Sequence, residues 1–140
     1  MNLHASPQQF RSNAMKTGVA GLRVLLVEDE PLVALDLEMA LEDAGARILG
    51  PAPNVAVAMD LIEGAKRIDA AILDINLQDS DSYPIAERLM AIGVPFVFHT
   101  GHGSQVELGS RFPGAPVCRK PIATQTLLDI VGSLLPQTRQ

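Results

Sequence analysis

A short apolar run passes directly into a group of acids and a proline in the stretch Val24-Leu25-Leu26-Val27-Glu28-Asp29-Glu30-Pro31. Consecutive apolar residues that include β-branched side chains are typical of a strand buried on both faces of a parallel sheet. Pro31 suits the first turn of a helix, and acidic side chains are stabilised near the positive end of the helix dipole. The stretch therefore predicts a buried strand that leads straight into a helix.

The same alternation of strand and helix recurs along the rest of the chain. Further strands are predicted at about 47–49, 70–73, 95–100 and 116–119, and the Gly-rich stretch 101–114 allows at most a short helix. Because such alternation forms a parallel sheet with helices on both faces, joined by right-handed crossovers, the predicted fold class is α/β. The expected architecture is a flavodoxin-like doubly wound five-stranded parallel sheet with strand order 2-1-3-4-5.

Local signals predict where several elements begin and end. The Gly-Pro-Ala-Pro stretch at 50–53 is expected to end the second strand, since proline cannot donate to a sheet ladder. Asn54 is expected to cap the second helix and Thr124 the last one, because both side chains can accept a hydrogen bond from the first helical turn. Pro136 is expected to end the last helix.

Length and composition restrict the class of protein. The 140 residues suffice for one domain, and an apolar share of 47% with a charged share of 19% is globular. A net charge of −5 without clustered Lys or Arg argues against nucleic-acid binding. No apolar stretch reaches the ~20 residues of a membrane span, and no secretory signal is visible. The single cysteine, Cys118, is expected to be a core residue, and it fits a cytoplasmic protein.

The first 22 residues lack an apolar period and are predicted to form a mobile N-terminal arm. Their segment at 12–15, Ser-Asn-Ala-Met, also fits a remnant of cloning in front of a native start at Met15, so the origin of residues 1–14 stays open. The predicted domain covers residues 23–136, and residues 137–140 are a tail.

Five polar residues stand at the ends of the predicted strands: Glu28, Asp29, Asp74, Thr100 and Lys120. The carboxyl ends of parallel strands meet at one edge of the sheet, where ligands of such folds bind. Three carboxylates gathered there would repel one another by roughly 4 kcal/mol per pair at an effective dielectric of about 20, so a cation is expected between them. Oxygen ligands that remain open to water favour Mg²⁺.

This arrangement suits the transfer of a phosphoryl group. Asp74 is the candidate phosphoacceptor, since a carboxylate beside a cation can attack phosphorus in line and form an acyl phosphate. Lys120 and Thr100 are candidates for binding phosphate oxygens, and Gly101 would let a backbone N–H approach the anion closely. Asn76 is expected to serve the metal through its backbone carbonyl, although its side chain could also face the phosphate.

Each of these residues also has an ordinary structural interpretation. Acids in front of Pro31 can simply begin a helix, Asp74 and Thr100 can be turn residues, and Lys120 says little by itself. The joint match at four strand ends in one short chain is what favours a functional site.

With these residues in hand, the chain from about Arg23 to Leu135 resembles the receiver domain of two-component response regulators. In that family an acidic pair after the first strand binds Mg²⁺, and an Asp after the third strand accepts a phosphoryl group from a kinase histidine. A Thr and a Lys-Pro follow the fourth and fifth strands. The matching residues here are Glu28, Asp29, Asp74, Thr100, Lys120 and Pro121. The resemblance also makes Pro121 a candidate for a cis peptide bond.

Several residues depart from the family pattern. Leu77 is followed by Gln-Asp rather than Pro-Gly, and Val117 stands where many receivers have a switch aromatic, which puts the aromatic-rotation switch in doubt. The stretch 96–101, Phe-Val-Phe-His-Thr-Gly, is similar to the Phe-Ala-Thr-Gly signature of a stand-alone receiver subgroup from alphaproteobacteria. His99 replaces the usual Ala of that signature, and Tyr83 with its neighbours fits the same subgroup.

The resemblance implies a single-domain response regulator that is phosphorylated on Asp74 in a Mg²⁺-dependent reaction. The expected partners are a sensor histidine kinase or histidine phosphotransfer protein and an unidentified downstream protein, and a homodimer stays open. Output would be protein–protein interaction or phosphate shuttling, and no enzymatic activity is expected beyond self-phosphorylation and slow autodephosphorylation. One alternative is a phosphorylation-independent protein-binding module. Another is a haloacid-dehalogenase-like phosphohydrolase, which is less favoured because Asn76 stands where a second Asp would act as general acid.

Overall fold

Five parallel strands form the centre of the structure, a computed structural model that describes residues 18–78, 80–101 and 105–135 without the side chains at 105 and 106. The strands are β1 Arg23–Val27, β2 Arg47–Ala52, β3 Ala70–Leu73, β4 Phe96–Thr100 and β5 Val117–Arg119. They lie in the order β2-β1-β3-β4-β5, and every neighbouring pair is parallel. The predicted fold class and strand order are therefore confirmed.

Helices cover both faces of the sheet, and the described ones are α1 Pro31–Asp43, α2 Val55–Gly64, α3 Tyr83–Ala91, α4 Gln105–Arg111 and α5 Thr124–Ser133. Successive side chains of a strand point to opposite faces. In β1, Leu25 and Val27 therefore pack with the residues of α2, α3 and α4, while Val24 and Leu26 pack with those of α1 and α5. All four are fully buried, at roughly 2 kcal/mol of stabilisation each, which explains the unbroken apolar run.

The second strand is longer than predicted. The Gly-Pro-Ala-Pro stretch does not end it, because β2 continues through Gly50 and Pro51 to Ala52, which pairs with Val27 of β1. A proline is tolerated here since β2 is an edge strand with a register shift at this point. Gly50 has φ +104°, and a Cβ there would lie 2.7 Å from the carbonyl oxygen of Leu26, so only glycine fits. The expected end of this strand is therefore wrong.

The two predicted helix caps have different outcomes. Asn54 caps α2 as expected, with its Oδ1 accepting a hydrogen bond from Val57 N at 2.9 Å. Thr124 is not the cap of α5, because it is already helical and Ala123 occupies the cap position. The hydroxyl of Thr124 instead donates to Asp36 Oδ2 at 2.8 Å and so ties α5 to α1. The Thr124 side chain therefore makes a hydrogen bond to another helix instead of the predicted capping hydrogen bond within α5.

The packed region begins before residue 23. Residues 18–22, which the sequence analysis placed in the arm, form a turn whose Val19 and Leu22 are 2% and 3% exposed in the core between the sheet, α1 and α5. Gly21 N donates to Gly45 O at 2.8 Å, and a Cβ at Gly132 would lie 2.5 Å from Gly18 Cα. The predicted boundary is therefore at least five residues too late. The remainder of the predicted arm, Pro136 and the predicted tail at 137–140 lie outside the described residues.

Candidate functional site

The carboxyl edge of the sheet holds a cavity of about 260 Å³. Its walls are formed by Asp29, Glu30, Asp74, Asn76, Gly101 and Lys120. These residues come from the ends of β1, β3, β4 and β5, as expected for a parallel sheet whose strands all end at one edge. The fold therefore brings most of the predicted site residues to one place.

Backbone hydrogen bonds just beyond the strands fix the positions of the site residues. Asp74 N donates to Val27 O at 3.0 Å, and Lys120 N donates to Thr100 O at 2.9 Å. Each bond extends the sheet ladder by one residue past the strand end, so the side chains of Asp74 and Lys120 start from a rigid base. The peptide bond between Lys120 and Pro121 is cis.

Lys120 is the cation around which the carboxylates gather. Its Nζ lies 2.9 Å from Glu30 Oε1, 3.1 Å from Glu28 Oε1 and 3.2 Å from Asp74 Oδ2. Burial acts to lower the pKa of Lys120, but the interactions with the carboxylates of Glu30, Glu28 and Asp74 outweigh it and hold the pKa above its ordinary value. The ammonium group therefore stays charged and offsets part of the repulsion among the acids.

Glu28 is the most enclosed of the acids, with 3% of its surface exposed. The pKa of Glu28 is raised from its ordinary 4.5 to about 7, because burial and the charge of Asp74 together outweigh the opposite effects of Lys120 and of the Glu30 backbone N–H, 3.1 Å from Oε2. Glu28 Oε1 makes no hydrogen bond of good geometry, although Lys120 Nζ lies 3.1 Å away, so their contact is an ion pair by distance only. An enclosed carboxylate oxygen thus remains incompletely satisfied.

The donor atoms of the site fit a hard divalent cation. One carboxylate oxygen each from Glu28, Glu30 and Asp74 lies within 4.8 Å of the other two, and Asp29 lines the same cavity. All donors are oxygens, as Mg²⁺ prefers, and the unsatisfied Glu28 Oε1 is the kind of buried atom that a cation would satisfy. Receiver-type binding of Mg²⁺ at an acidic pocket is therefore compatible with the residues present.

The carboxylates of the predicted metal set and of the observed cluster differ in one residue. Glu28, Asp29, Asp74 and the carbonyl of Asn76 were predicted, whereas the closest group of carboxylates contains Glu30 in place of Asp29. Asn76 is exposed on the cavity wall, and its backbone N donates to Asp74 Oδ1 at 3.3 Å. The metal roles of all four predicted ligands stay predictions.

Thr100 and Gly101 lie side by side at the end of β4 but face different surroundings. Thr100 is completely buried and does not belong to the cavity wall, whereas Gly101 lines the cavity with open space where a Cβ would stand. Apart from its chain neighbours, no described residue fills this space beside Gly101. The phosphate-binding role of the Thr100 hydroxyl stays a prediction.

Glu30 is the residue that the sequence reasoning missed. All the acids before Pro31 were explained as a metal-binding pair or as the start of a helix, and Glu30 does occupy the cap position of α1. Its side chain makes no cap hydrogen bond and reaches Lys120 instead. The sequence did show a third acid directly after the pair. Its contact with Lys120, however, depends on how the fold places the two side chains.

A family model described as the response regulator receiver domain matches residues 24–131. The chain belongs to this family. The phyllosphere-induced regulator PhyR of Methylorubrum extorquens is 29% identical over 114 residues, which cover 80% of this chain and 43% of PhyR. This chain spans less than half the length of the curated relatives it matches.

Solved receiver structures share the fold at moderate sequence identity. A response regulator receiver protein from Sinorhizobium medicae is 28% identical with a TM-score of 0.71, over 81% of this chain and 94% of that one. The BeF₃-activated conformation of SdrG from Pseudomonas melonis is 42% identical with a TM-score of 0.65, over 83% and 98% of the two chains. The similarity to PhyR supports the subgroup suggested by the Phe-His-Thr-Gly stretch. Among the described residues, no helix is both long and apolar enough to cross a membrane.

Proposed function

We propose that this receiver domain is phosphorylated on Asp74 by a sensor histidine kinase or a histidine phosphotransfer protein in the cytoplasm. The observation that carries the proposal is the cavity where the Asp74 carboxylate, the acids after β1 and Lys120 meet at the carboxyl edge of the sheet. Membership of the receiver family supports phosphorylation on an Asp, and Asp74 is the Asp that follows β3.

Phosphoryl transfer forms one new bond, between a carboxylate oxygen of Asp74 and phosphorus. A carboxylate oxygen attacks the phosphorus atom, the bond from phosphorus to the donor's imidazole nitrogen breaks, and its electron pair returns to that nitrogen. Lys120 Nζ, 3.2 Å from Asp74 Oδ2, can move from the carboxylate to an oxygen of the acyl phosphate. Glu28, Asp29, Asp74 and the carbonyl of Asn76 would hold Mg²⁺, which supplies positive charge that lowers the repulsion between phosphoryl oxygens and carboxylates.

Phosphorylation would act on the loops that surround the cavity. The acyl phosphate carries more negative charge than the carboxylate it replaces, and Thr100, Gly101 and Lys120 are the groups that would respond. Val117 is half-buried in β5 and cannot rotate as an aromatic switch, so the change would pass through the loops after β3 and β4. The output is binding of a downstream protein or of a second copy, or shuttling of the phosphoryl group. No steady turnover of a substrate is involved beyond self-phosphorylation and slow autodephosphorylation.

The decisive test is Asp74→Asn. The variant should take up no label from acetyl phosphate or from a histidine phosphodonor with Mg²⁺ present, while the wild type becomes labelled, as followed by intact mass and phosphate-affinity gels. Asp43→Asn is the matched control, since Asp43 is exposed at the end of α1, and it should label at the wild-type rate. Wild-type labelling of Asp74→Asn would contradict the acceptor assignment. No labelling of the wild type by any phosphodonor would instead favour the phosphorylation-independent binding module.

A further inference from the structure

The cations that lack an acidic partner gather at the amino edge of the sheet, opposite the cavity around Asp74. Within residues 18–78, 80–101 and 105–135, no carboxylate lies at ion-pair distance from the side chains of Arg23, Arg47 and Lys66. The cations of this part of the chain that do form ion pairs include Arg67, Arg88, Arg111 and Lys120. A chain of net charge −5 thus keeps three positive charges unmatched.

The fold brings these three cations together from positions that are distant in sequence. Arg23 and Arg47 are register partners at the first positions of β1 and β2, so two neighbouring strands about 4.8 Å apart present them on the same face. This is the face that α2 covers, since Leu25, two residues further along β1, packs there. The helix α2 ends two residues before Lys66, at the same edge. We name Arg23, Arg47 and Lys66 the amino-edge basic surface.

Arg67 borders the amino-edge basic surface and uses the acid that lies beside it. Its Nε lies 3.2 Å from Asp69 Oδ2, and its Nη2 donates to Gly21 O at 3.3 Å. The same oxygen of Asp69 accepts a hydrogen bond from Arg23 N at 2.9 Å. Asp69 is therefore engaged by Arg67 and by the backbone, and it leaves the side chain of Arg23 unmatched.

The acids of the surrounding helices do not supply a counter-charge either. Glu63, in the last turn of α2, pairs with Arg88 of α3 at 3.1 Å. Asp60 is exposed one turn earlier in α2, and Glu42 and Asp43 lie at the end of α1, which covers the opposite face of the sheet. The amino-edge basic surface is exposed or half-buried at each of its residues. Its positive charge is therefore available to a partner.

An apolar cavity of about 570 Å³ continues the amino edge on the other side of Asp69, which belongs to its wall. We name it the amino-edge cavity. Its rim is apolar as well, since Met90 in the wall is 49% exposed and Ile92, two residues further on, is 43% exposed. The other apolar wall residues include Val94, Phe96, Ala115, Leu134 and Leu135. A basic surface and an apolar cavity therefore lie side by side along one edge of the sheet.

We propose that the amino edge binds an acidic, extended segment of a partner protein. The carboxylates of the segment lie on the amino-edge basic surface, and one of its apolar side chains fills the amino-edge cavity. The planar guanidinium groups of Arg23 and Arg47 suit carboxylates, which they can bind through paired hydrogen bonds. From β2 to β4 the sheet spans three strand spacings, about 14 Å, which four or five extended residues cross at about 3.3 Å per residue.

A protein segment fits this edge better than a nucleic acid does. The amino-edge basic surface is short, and the net charge of −5 repels a long polyanion. A phosphate backbone would also leave the apolar cavity beside the cations unused. Because the amino edge lies opposite Asp74, binding of the acidic segment does not require phosphorylation and is independent of the proposed function.

Three acetylated peptides test the two parts of this edge separately. The first, Glu-Glu-Glu-Gly-Leu-Phe, carries both features; the second has Gln in place of each Glu, and the third has Ser-Ser in place of Leu-Phe. In NMR titrations of the ¹⁵N-labelled protein at about 20 mM salt, the first peptide should shift the amides of Arg23, Arg47 and Gly114 with a dissociation constant on the order of 1 mM. The second and third should each bind about tenfold more weakly, because they lack the charges or the apolar anchor.

Variants of the basic surface test the charge contacts. The double variant Arg23→Gln/Arg47→Gln should bind the Glu peptide only about as weakly as the Gln peptide, whose own affinity should stay unchanged. Arg119→Gln removes the same kind of charge from an exposed position at the carboxyl edge and should bind as the wild type does. If the double variant does not fold, the single variant Lys66→Gln, at an exposed position, should still weaken the Glu peptide about twofold.

Variants of two exposed methionines test the apolar anchor. Met90→Gln places a polar group at the rim of the amino-edge cavity and should reduce the advantage of Leu-Phe over Ser-Ser about threefold. Met39→Gln is the matched control, since Met39 is 55% exposed on α1, and it should leave all three affinities unchanged. Asp74→Asn should also bind the three peptides as the wild type does, so a failure of this proposal and a failure of the proposed function are distinguishable.

Three results would overturn the proposal. Equal affinities of the Glu and Gln peptides at low salt would mean that the cations of the amino edge recognise no acidic segment. Tighter binding of a short oligothymidylate than of the Glu peptide, with shifts at the same amides, would assign the basic surface to nucleic acid. A concentration-dependent dimer in sedimentation that Arg47→Gln abolishes would assign this surface to the acids of a second copy of the chain.

Discussion

The two edges of the sheet carry cavities of opposite character. At the amino edge a cavity of about 570 Å³ lies between the starts of β4 and β5 and the end of α5, more than twice the volume of the cavity at the carboxyl edge. Among the described residues, Asp69 is the one ionisable side chain in the wall of this amino-edge cavity. It accepts a hydrogen bond from Arg23 N at 2.9 Å and pairs with Arg67 at 3.2 Å, so its charge is fully matched.

The carboxyl edge has less space and more uncompensated buried charge. Three carboxylates share the single ammonium group of Lys120, and one oxygen of Glu28 lacks a hydrogen bond. The larger cavity is therefore not at the edge where we propose phosphorylation. The imbalance between buried acids and the cation paired with them distinguishes that edge from the amino edge.

Removing the cation should have the largest effect. Lys120→Met leaves Glu28, Glu30 and Asp74 without a counter-charge, and we expect the free energy of unfolding at pH 8 without metal to fall by about 3 kcal/mol. Urea unfolding measures the change. The matched variant at the amino edge is Arg67→Ala. It removes the ion pair with Asp69, in which the arginine is exposed, and should lower the free energy of unfolding by less than about 1 kcal/mol. Equal losses would contradict the proposed difference between the edges.

Much of this arrangement could be predicted from the sequence, and the exceptions have physical reasons. The run 70–73 and the position of the Asp that follows it were evident, because a strand buried on both faces has no polar residue until it ends. The extension of β2 through Pro51 was not evident, since it requires an edge position that only the assembled sheet defines. Val19 is a buried residue in a segment whose apolar residues show no helical or strand period. Glu30 contacts Lys120, which is 90 residues away in sequence. Local patterns contain neither kind of information.

The raised pKa of Glu28 predicts a pH dependence of stability. Its pKa is about 7 in the folded protein and 4.5 ordinarily, so between these values the folded state keeps a proton that the unfolded chain releases. The free energy of unfolding contributed by this group is therefore present below pH 4.5 and is lost as the pH rises through 7. Relative to wild type, Glu28→Gln should gain on the order of 1–3 kcal/mol between pH 4.5 and pH 8.

Urea unfolding of both proteins across this pH range, with EDTA present, measures the gain. Glu63→Gln is the control, because Glu63 belongs to an exposed pair with Arg88 and should show no change with pH beyond about 0.5 kcal/mol. A constant difference between Glu28→Gln and wild type at every pH would mean that Glu28 is not the group that titrates.

Addition of Mg²⁺ should stabilise the carboxyl edge selectively. A ligand that binds only the folded state at ten times its dissociation constant raises the free energy of unfolding by about 1.4 kcal/mol. Asp29→Asn should lose most of this increment, while Asp69→Asn, at the amino edge, should keep it even though the variant is less stable overall. Thermal unfolding with and without MgCl₂ measures both. An increment that survives in Asp29→Asn would remove this residue from the metal site.

The smallest effect concerns Glu30, which competes for the same cation as the incoming phosphate. Its Oε1 lies 2.9 Å from Lys120 Nζ, the shortest of the three ion pairs, yet Glu30 is the most exposed of the three acids. Lys120 must leave Glu30 to reach a phosphate oxygen, and an exposed pair of this kind is worth about 0.5–1 kcal/mol. Glu30→Gln should therefore speed labelling by acetyl phosphate about two- to fivefold.

The rate of labelling at fixed Mg²⁺, followed by intact mass, tests this expectation. Glu42→Gln removes an exposed acid from the far end of α1 and should label at the wild-type rate, which controls for the change in net charge. A slower Glu30→Gln would mean that Glu30 assists the reaction, either by helping to hold the metal ion or by keeping Lys120 over the cavity. Comparing the Mg²⁺ concentration needed for half-maximal labelling separates these roles, since only a metal ligand would raise it.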